Sequence, residues 1–180
     1  MTKASLCVLT LALWMAAIHT TQAQPQTGNG LDNPDWAEET TPAPPAFSKD
    51  RVILLDMPPY VSVKVGVDPQ TIVVGNDGVV RYVAVMTNAS GTMNASFEGI
   101  RCASGQFKTY ARYSASGTWS PVSEPQWRDL TDNLPSKHAH VFARQAACEV
   151  RVANRREEIL RALQGKKPPM ASGGRLRVDD

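Results

Sequence analysis

Three groups of side chains in this sequence have the types and spacing for chemistry. The first is His138-x-His140 with Asp129 and Asp132 just upstream. On a strand or loop, imidazoles two positions apart share a face, and with Asp132 or Asp129 as a carboxylate ligand they could hold a metal ion. On a helix the same two residues point about 200° apart and could not. The Ala-rich run that starts at His138 reads as helix, so the metal set of His138, His140 and Asp132 competes with a plain helix-start pair.

The second group is acidic. Glu98 lies near Arg101 and Asp129 beside Arg128, but hydrolysis needs two carboxylates held a few ångströms apart, and acyl transfer needs a nucleophile, a base and an oxyanion site. No G-x-S-x-G occurs, and Ser104-Gly105 reads as a turn, so no catalytic residue is assigned. On a strand Glu98 and Arg101 point to opposite faces. Arg101 is therefore expected to pair with a carboxylate from the helical segment, such as Glu149, or with a ligand carboxylate or phosphate. The third group is aromatic: Tyr82, Phe97, Phe107, Tyr110, Tyr113, Trp119 and Trp127, interleaved with Arg81, Arg101, Lys108 and Arg112. Such a surface can stack sugars or line a peptide groove, although aromatics on strands also serve as core. Glu98, Arg101, Tyr110, Trp119 and Trp127 are the candidate ligand-binding residues.

Those residues must be positioned by a β-rich body. Val52 to Leu55 is a short apolar run, and Val61, Val63, Val65 and Val67 alternate with Ser62, Lys64 and Gly66, the period of a half-buried strand. Thr71 to Val74 and Val79 to Met86 flank Gly75-Asn76-Asp77-Gly78, which suits a hairpin. Ser96 to Ala103, Phe107 to Tyr113 and Thr118 to Val122 follow, joined through Ser104-Gly105 and Ser114 to Gly117. Short connections of this kind join antiparallel neighbours. After Pro125 the texture becomes helical. His138 to Ala147 reads as a short helix, with Cys148, Val150 and Val152 as a strand or as part of one helix running from 138 to 163. Asn154 with Glu157 is a capping-box-like start for a final helix carrying Ile159, Leu160 and Leu163 and stopping at Gly165. The expected fold is α+β: an antiparallel meander sheet or partly closed barrel covered by C-terminal helix.

The ends have different compositions. Residues 1–23, with Lys3, the apolar run Leu6 to Ile18 and Thr21-Gln22-Ala23, have the pattern of a secretory signal peptide cut before Gln24. Residues 24–49 read as a flexible Pro-rich leader from which Trp36 could dock, residues 50–164 as a single domain, and 165–180 as a disordered tail. Cys7 leaves with the signal. Two cysteines in an exported chain imply one disulfide, Cys102 to Cys148, against the rival reading of free thiols for redox or metal chemistry.

Phe97-Glu98-Gly99-Ile100-Arg101-Cys102, then Phe107-Lys108-Thr109-Tyr110-Ala111, Trp119, Trp127-Arg128, a histidine at 138 and a cysteine at 148 resemble the cryptic neisserial protein family over roughly residues 50–163. The resemblance implies a small exported protein of a Gram-negative bacterium, periplasmic and disulfide-bonded. It implies no reaction.

The whole chain has 180 residues, 42% hydrophobic and 20% charged, with 19 basic and 17 acidic side chains, a net charge of +2. That balance lacks the basic field of duplex nucleic-acid binders. Charge is nonetheless uneven: residues 24–48 carry four acids and no base, while 151–177 carry eight bases and two acids. A basic flank of that kind suits weak contact with anionic head groups or a solvated helix face. The expected function is a cofactor-free binding or interaction module of the cell envelope, for a protein or glycan. The alternative is a small metal-binding protein or hydrolase built on His138 and His140.

Overall fold

The computed structural model describes residues 33, 35–114, 116–132 and 137–165; the signal-like segment 1–23, the start of the leader and the tail from 166 lie outside them. Among the described residues, eight strands form one open antiparallel sheet: β1 (Ile53–Leu54), β2 (Lys64–Val67), β3 (Val73–Val74), β4 (Val79–Thr87), β5 (Met93–Arg101), β6 (Gln106–Tyr113), β7 (Trp119–Pro121) and β8 (Arg128–Asp129). The three long strands β4, β5 and β6 form its centre. Each outer edge of this trio is shared by two short strands, β2 and β3 along β4, and β7 and β8 along β6. The sheet does not close into a barrel. Val61 and Val63, which continue the alternation, precede β2 rather than belonging to it.

Two local features set the register. The β3–β4 turn at Gly75 to Gly78 uses Gly78 at φ +74°, a conformation that costs glycine nothing. Across the β5–β6 pair Phe97 faces Ala111 and Glu98 faces Thr109, so Tyr110 is the extra residue of a β-bulge in β6. Its effect is to send Lys108, Tyr110, Ala111 and Tyr113 all toward one face, which strict alternation forbids.

One face carries the C-terminal layer. α1 (His138–Phe142) runs into a π-helical turn over Ala143–Ala147, then comes a hairpin of β9 (Cys148–Glu149) and β10 (Val152–Ala153), then α2 (Arg156–Leu163). The alternative of one continuous helix from 138 to 163 therefore fails, because the chain reverses at Val150, which sits at φ +55°. The start of α2 is one residue later than the Asn154 cap predicts. The Arg155 amide donates to the Glu158 carboxylate at 3.0 Å, while Asn154 Nδ2 donates to the Ala146 carbonyl at 2.8 Å. Val80, Tyr82, Ile100 and Phe107 from the sheet meet Phe142, Ile159 and Leu163 to form the larger core. Cys102, at the end of β5, is bonded to Cys148, with their Cα atoms 5.7 Å apart. Arg151 donates to the Ala103 carbonyl beside that bond.

The opposite face is covered by a segment read from sequence as flexible leader. From Asp35 to Ser48 it lies against the sheet as a strap, because β4 is buried at every position from Val79 to Val85 and needs a cover on both sides. Phe47 and Val52 pack on the second core of Val83, Val85, Phe97, Tyr110 and Ala111. Phe47 also meets Tyr113 and Trp119 edge to face at 5.0 and 5.8 Å. The base of the strap is fixed by fully buried Asp68, which accepts from the Ser48 amide at 2.8 Å and from Arg51 Nη2 at 2.7 Å. No helix among the described residues is long and apolar enough to cross a membrane.

The disulfide closes a span of 46 residues. Replacing both cysteines by serine should lower unfolding free energy by about 4 kcal/mol in the chain-entropy account. Denaturant titration of oxidised wild type against Cys102→Ser/Cys148→Ser checks this, and equal midpoints would refute the tie.

Candidate functional site

The polar side chains of the sheet gather into two constellations, one on each face. On the helical side Glu98 is buried opposite Tyr82 in the β4–β5 ladder. Its carboxylate accepts from the Tyr82 hydroxyl at 2.7 Å and from Ser96 Oγ at 2.6 Å, and it meets His138 Nε2 at 3.0 and 2.8 Å. Burial pushes the Glu98 carboxyl up, but the His138 charge and hydrogen bond, with Ser96 and Tyr82, outweigh it and hold the group below its ordinary 4.5. Burial and the Glu98 charge push the Tyr82 hydroxyl well above 10. Beside this cluster a cavity of about 590 Å³ is lined by Ser96, Glu98, Arg112, Glu124, Arg128 and His138 among others. Ser96 donates to the carboxylate and His138 Nε2 is engaged by the same carboxylate, so hydroxyl, imidazole and acid do not stand in nucleophile-to-base order.

On the strap side the sequence-predicted residues Arg101, Tyr110 and Trp127 converge with Arg81 and Lys108 on Trp36 and Glu38. The Glu38 carboxylate takes Lys108 Nζ at 2.5 Å, the Tyr110 hydroxyl at 2.7 Å and the Trp127 indole N–H at 3.2 Å, with Arg81 Nη2 at 3.9 Å. The Trp36 indole donates to the Asp77 carbonyl at 2.7 Å and meets Trp127 edge to face at 5.9 Å. The Arg101 guanidinium lies 3.7 Å over the Trp36 ring. Asp77, in the β3–β4 turn, accepts from Arg81 Nη2 at 2.6 Å and from the Glu39 amide at 3.0 Å. Burial raises its pKa, yet Arg81 and the amides of Val79 and Glu39 hold it below 3.8. Gly99 lies between Arg81 and Lys108 in the cross-strand row, and a Cβ there would stand 2.5 Å from the Tyr110 hydroxyl. The absent side chain lets Tyr110 reach Glu38.

Trp119 is on the same face further along, packed against Tyr113 at 5.2 Å. It borders a groove of about 410 Å³ between the strap prolines Pro42 and Pro44 and the sheet residues Phe97, Lys108, Tyr110 and Trp119. Of the five candidate ligand-binding residues, Arg101, Tyr110, Trp119 and Trp127 share this face, and Glu98 is on the other. The Arg101 pair with Glu149 does not form, since Arg101 turns to Trp36 while Glu149 is exposed on β9.

The metal set is not brought together. His138 is buried against Glu98, whereas His140 lines a separate cavity of about 520 Å³ near the disulfide with Asp129 and Arg144. Asp132 is at the surface, 3.7 Å from Arg128. The helical start at His138 separates the two imidazoles, and among the described residues no cluster of His, Cys, Asp and Glu has metal-binding geometry. The sequence reading missed Tyr82, Ser96 and His138 as partners of Glu98. The signal for Tyr82 was available, as it is directly opposite Glu98 once the hairpin is drawn.

The CNP1-like family matches residues 31–164. The chain belongs to that family, a family of uncharacterised proteins. The match begins before the strap and ends within the turn after α2, so strap, sheet and helical layer are all inside it. No curated protein and no solved structure matches the chain.

Removing one partner of the buried Glu98–His138 pair leaves a stranded charge. His138→Ala should therefore cost about 3–5 kcal/mol, and Tyr82→Phe about 1–3 kcal/mol; denaturant unfolding checks the order, and a larger loss for Tyr82→Phe would contradict it. Asp68, Asp77 and Glu98 all have carboxyls lowered from 3.8, 3.8 and 4.5. A lowered native pKa contributes stability that is complete above the ordinary value and is lost as pH falls below it. The denaturation midpoint should therefore fall as pH drops below the ordinary carboxyl values of 3.8 and 4.5; a midpoint unchanged by acidification would remove the three groups from the account.

Proposed function

We propose that this CNP1-like protein is exported to the periplasm of a Gram-negative bacterium and acts there as a non-catalytic binding module for another envelope component. The observation that carries the reading is the groove between strap and sheet. Its walls are the proline faces of Pro42 and Pro44 and the rings of Phe97, Tyr110 and Trp119, with the Lys108 ammonium at the side. Apolar walls with one charged side chain at the margin, itself paired with Glu38, suit the capture of a chain-like or ring-bearing ligand. The signal-like pattern of residues 1–23 and the disulfide support the address, since such bonds persist in oxidising compartments. The non-catalytic part is supported by the order of groups at Glu98, where each hydrogen bond satisfies the buried carboxylate.

Two measurements test the reading. Fractionation with intact-mass analysis should find the chain in the periplasm beginning at Gln24; a cytoplasmic chain that retains residues 1–23 refutes the address. A photo-reactive side chain in place of Pro121, an exposed residue lining the groove, should give a discrete adduct in intact cells that Lys108→Ala weakens at least about tenfold, the scale of one lost charge-assisted hydrogen bond. No adduct, or one indifferent to Lys108, refutes the groove.

A further inference from the structure

The strap is held at two places of different character. Phe47 and Val52 are packed into the second core, and Ser48 and Arg51 are clamped by Asp68. Trp36 to Glu39 is held instead by hydrogen bonds, ion pairs and one stacked cation, with Trp36 and Glu38 only half-buried and Glu39 exposed. Between the two anchors run Thr40 to Ala46, with Pro42, Pro44 and Pro45 and no regular structure. The outer anchor can therefore leave without opening a core. What it would leave behind is a half-buried carboxylate site: Lys108, the Tyr110 hydroxyl and the Trp127 N–H aimed at one point, with Arg81 close by.

We propose that the face made by Arg81, Arg101, Lys108, Tyr110 and Trp127 is a recognition site for an acidic peptide segment of a partner protein, one bearing a tryptophan two positions ahead of a glutamate. The chain's own Trp36–Glu39 is its resident occupant, and a partner segment enters by displacing it. This deepens the binding-module reading and rests on it. The chemistry is specific at both points. The glutamate is read by three donors, and the indole is read by Arg101 over its ring and by the Asp77 carbonyl at its N–H. Lys108 ion-pairs with the Glu38 carboxylate and Arg81 lies 3.9 Å from it while held by Asp77 of the β3–β4 turn, so the face meets its occupant with positive charge and an acidic occupant is favoured. A tethered occupant competes at an effective concentration of roughly millimolar, so the resting chain is self-blocked and answers only to a tighter or more concentrated partner.

The test uses the disulfide-bonded chain beginning at Gln24 and a dye-labelled synthetic peptide of residues 33–42, followed by fluorescence anisotropy. Binding should be weakest to wild type, tighter to Glu38→Gln, and at least about tenfold tighter to Trp36→Ala/Glu38→Gln, in line with removal of the tethered competitor. Adding Lys108→Ala to the opened variant should cost at least about tenfold, and added salt should weaken binding. Glu38→Gln preserves shape, so it keeps the test decisive should the double variant lose its cooperative unfolding. Peptide that fails to bind folded Glu38→Gln, or binds regardless of Lys108, overturns the proposal. A concentration-dependent wild-type dimer abolished by Glu38→Gln assigns the site to a second copy and overturns the partner claim. Failure here with the Pro121 adduct still formed sinks only this inference; failure of both sinks the module reading as well.

Discussion

An open sheet whose strand β4 is buried at seven consecutive positions, Val79 to Val85, must be covered on both faces. That constraint governs the rest of the molecule. Val79 to Val85 in β4 leaves no side free for water, so every second residue faces the helices and every other one faces the strap. Burying apolar surface on each side is worth about 25 cal/mol per Å², and a sheet with one bare face would forfeit half of it. The C-terminal layer is stapled down by Cys102–Cys148 and by Arg156, which donates to the Ile72 carbonyl at 3.0 Å. The strap has no covalent staple, and its hold comes from Phe47, Asp68 and the polar cluster around Glu38 and Asp77.

The two polar constellations answer to different physics. Glu98 is inside the protein with its charge met by Tyr82, Ser96 and His138, and such a network fixes one arrangement because any missing member strands a buried group. Glu38 is at the margin, where the same number of donors is reached by a side chain that arrives from outside the sheet. An interaction half in water can be broken and remade. The contrast separates a structural carboxylate from a recognised one.

Much of the sheet was legible in sequence because it obeys local rules. The Gly75 to Gly78 turn, the Ser104-Gly105 and Ser114 to Gly117 reversals and the alternating runs between them gave strands within a few residues of those observed. The bulge at Tyr110 was not legible, since nothing in Phe107 to Tyr113 marks where alternation breaks. Arg101, Tyr110 and Trp127 were singled out by residue type and Trp36 as a side chain that could dock, but that they meet around Glu38 was not legible. Gln24 to Ser48 has the composition of a tether, and its few anchoring residues, Trp36, Glu38 and Phe47, have meaning only against a face already built. The continuous burial of Val79 to Val85 was the available signal, because an apolar run interrupted by a single arginine needs two covers. His138 and His140 illustrate the reverse case, in which a helical start overrode a spacing that suits metal on a strand.

The central claim is that residues 36–39 are docked on the basic, aromatic face in the resting molecule. Backbone and indole ¹⁵N relaxation with exchange of the Trp36 indole proton measures this directly. Docking predicts order at Trp36 to Glu39 matching that of β4 and β5, slow exchange of the indole proton bonded to the Asp77 carbonyl, and contacts from the Trp36 ring to Arg101. Fast exchange with order parameters below about 0.6 through this segment would contradict it.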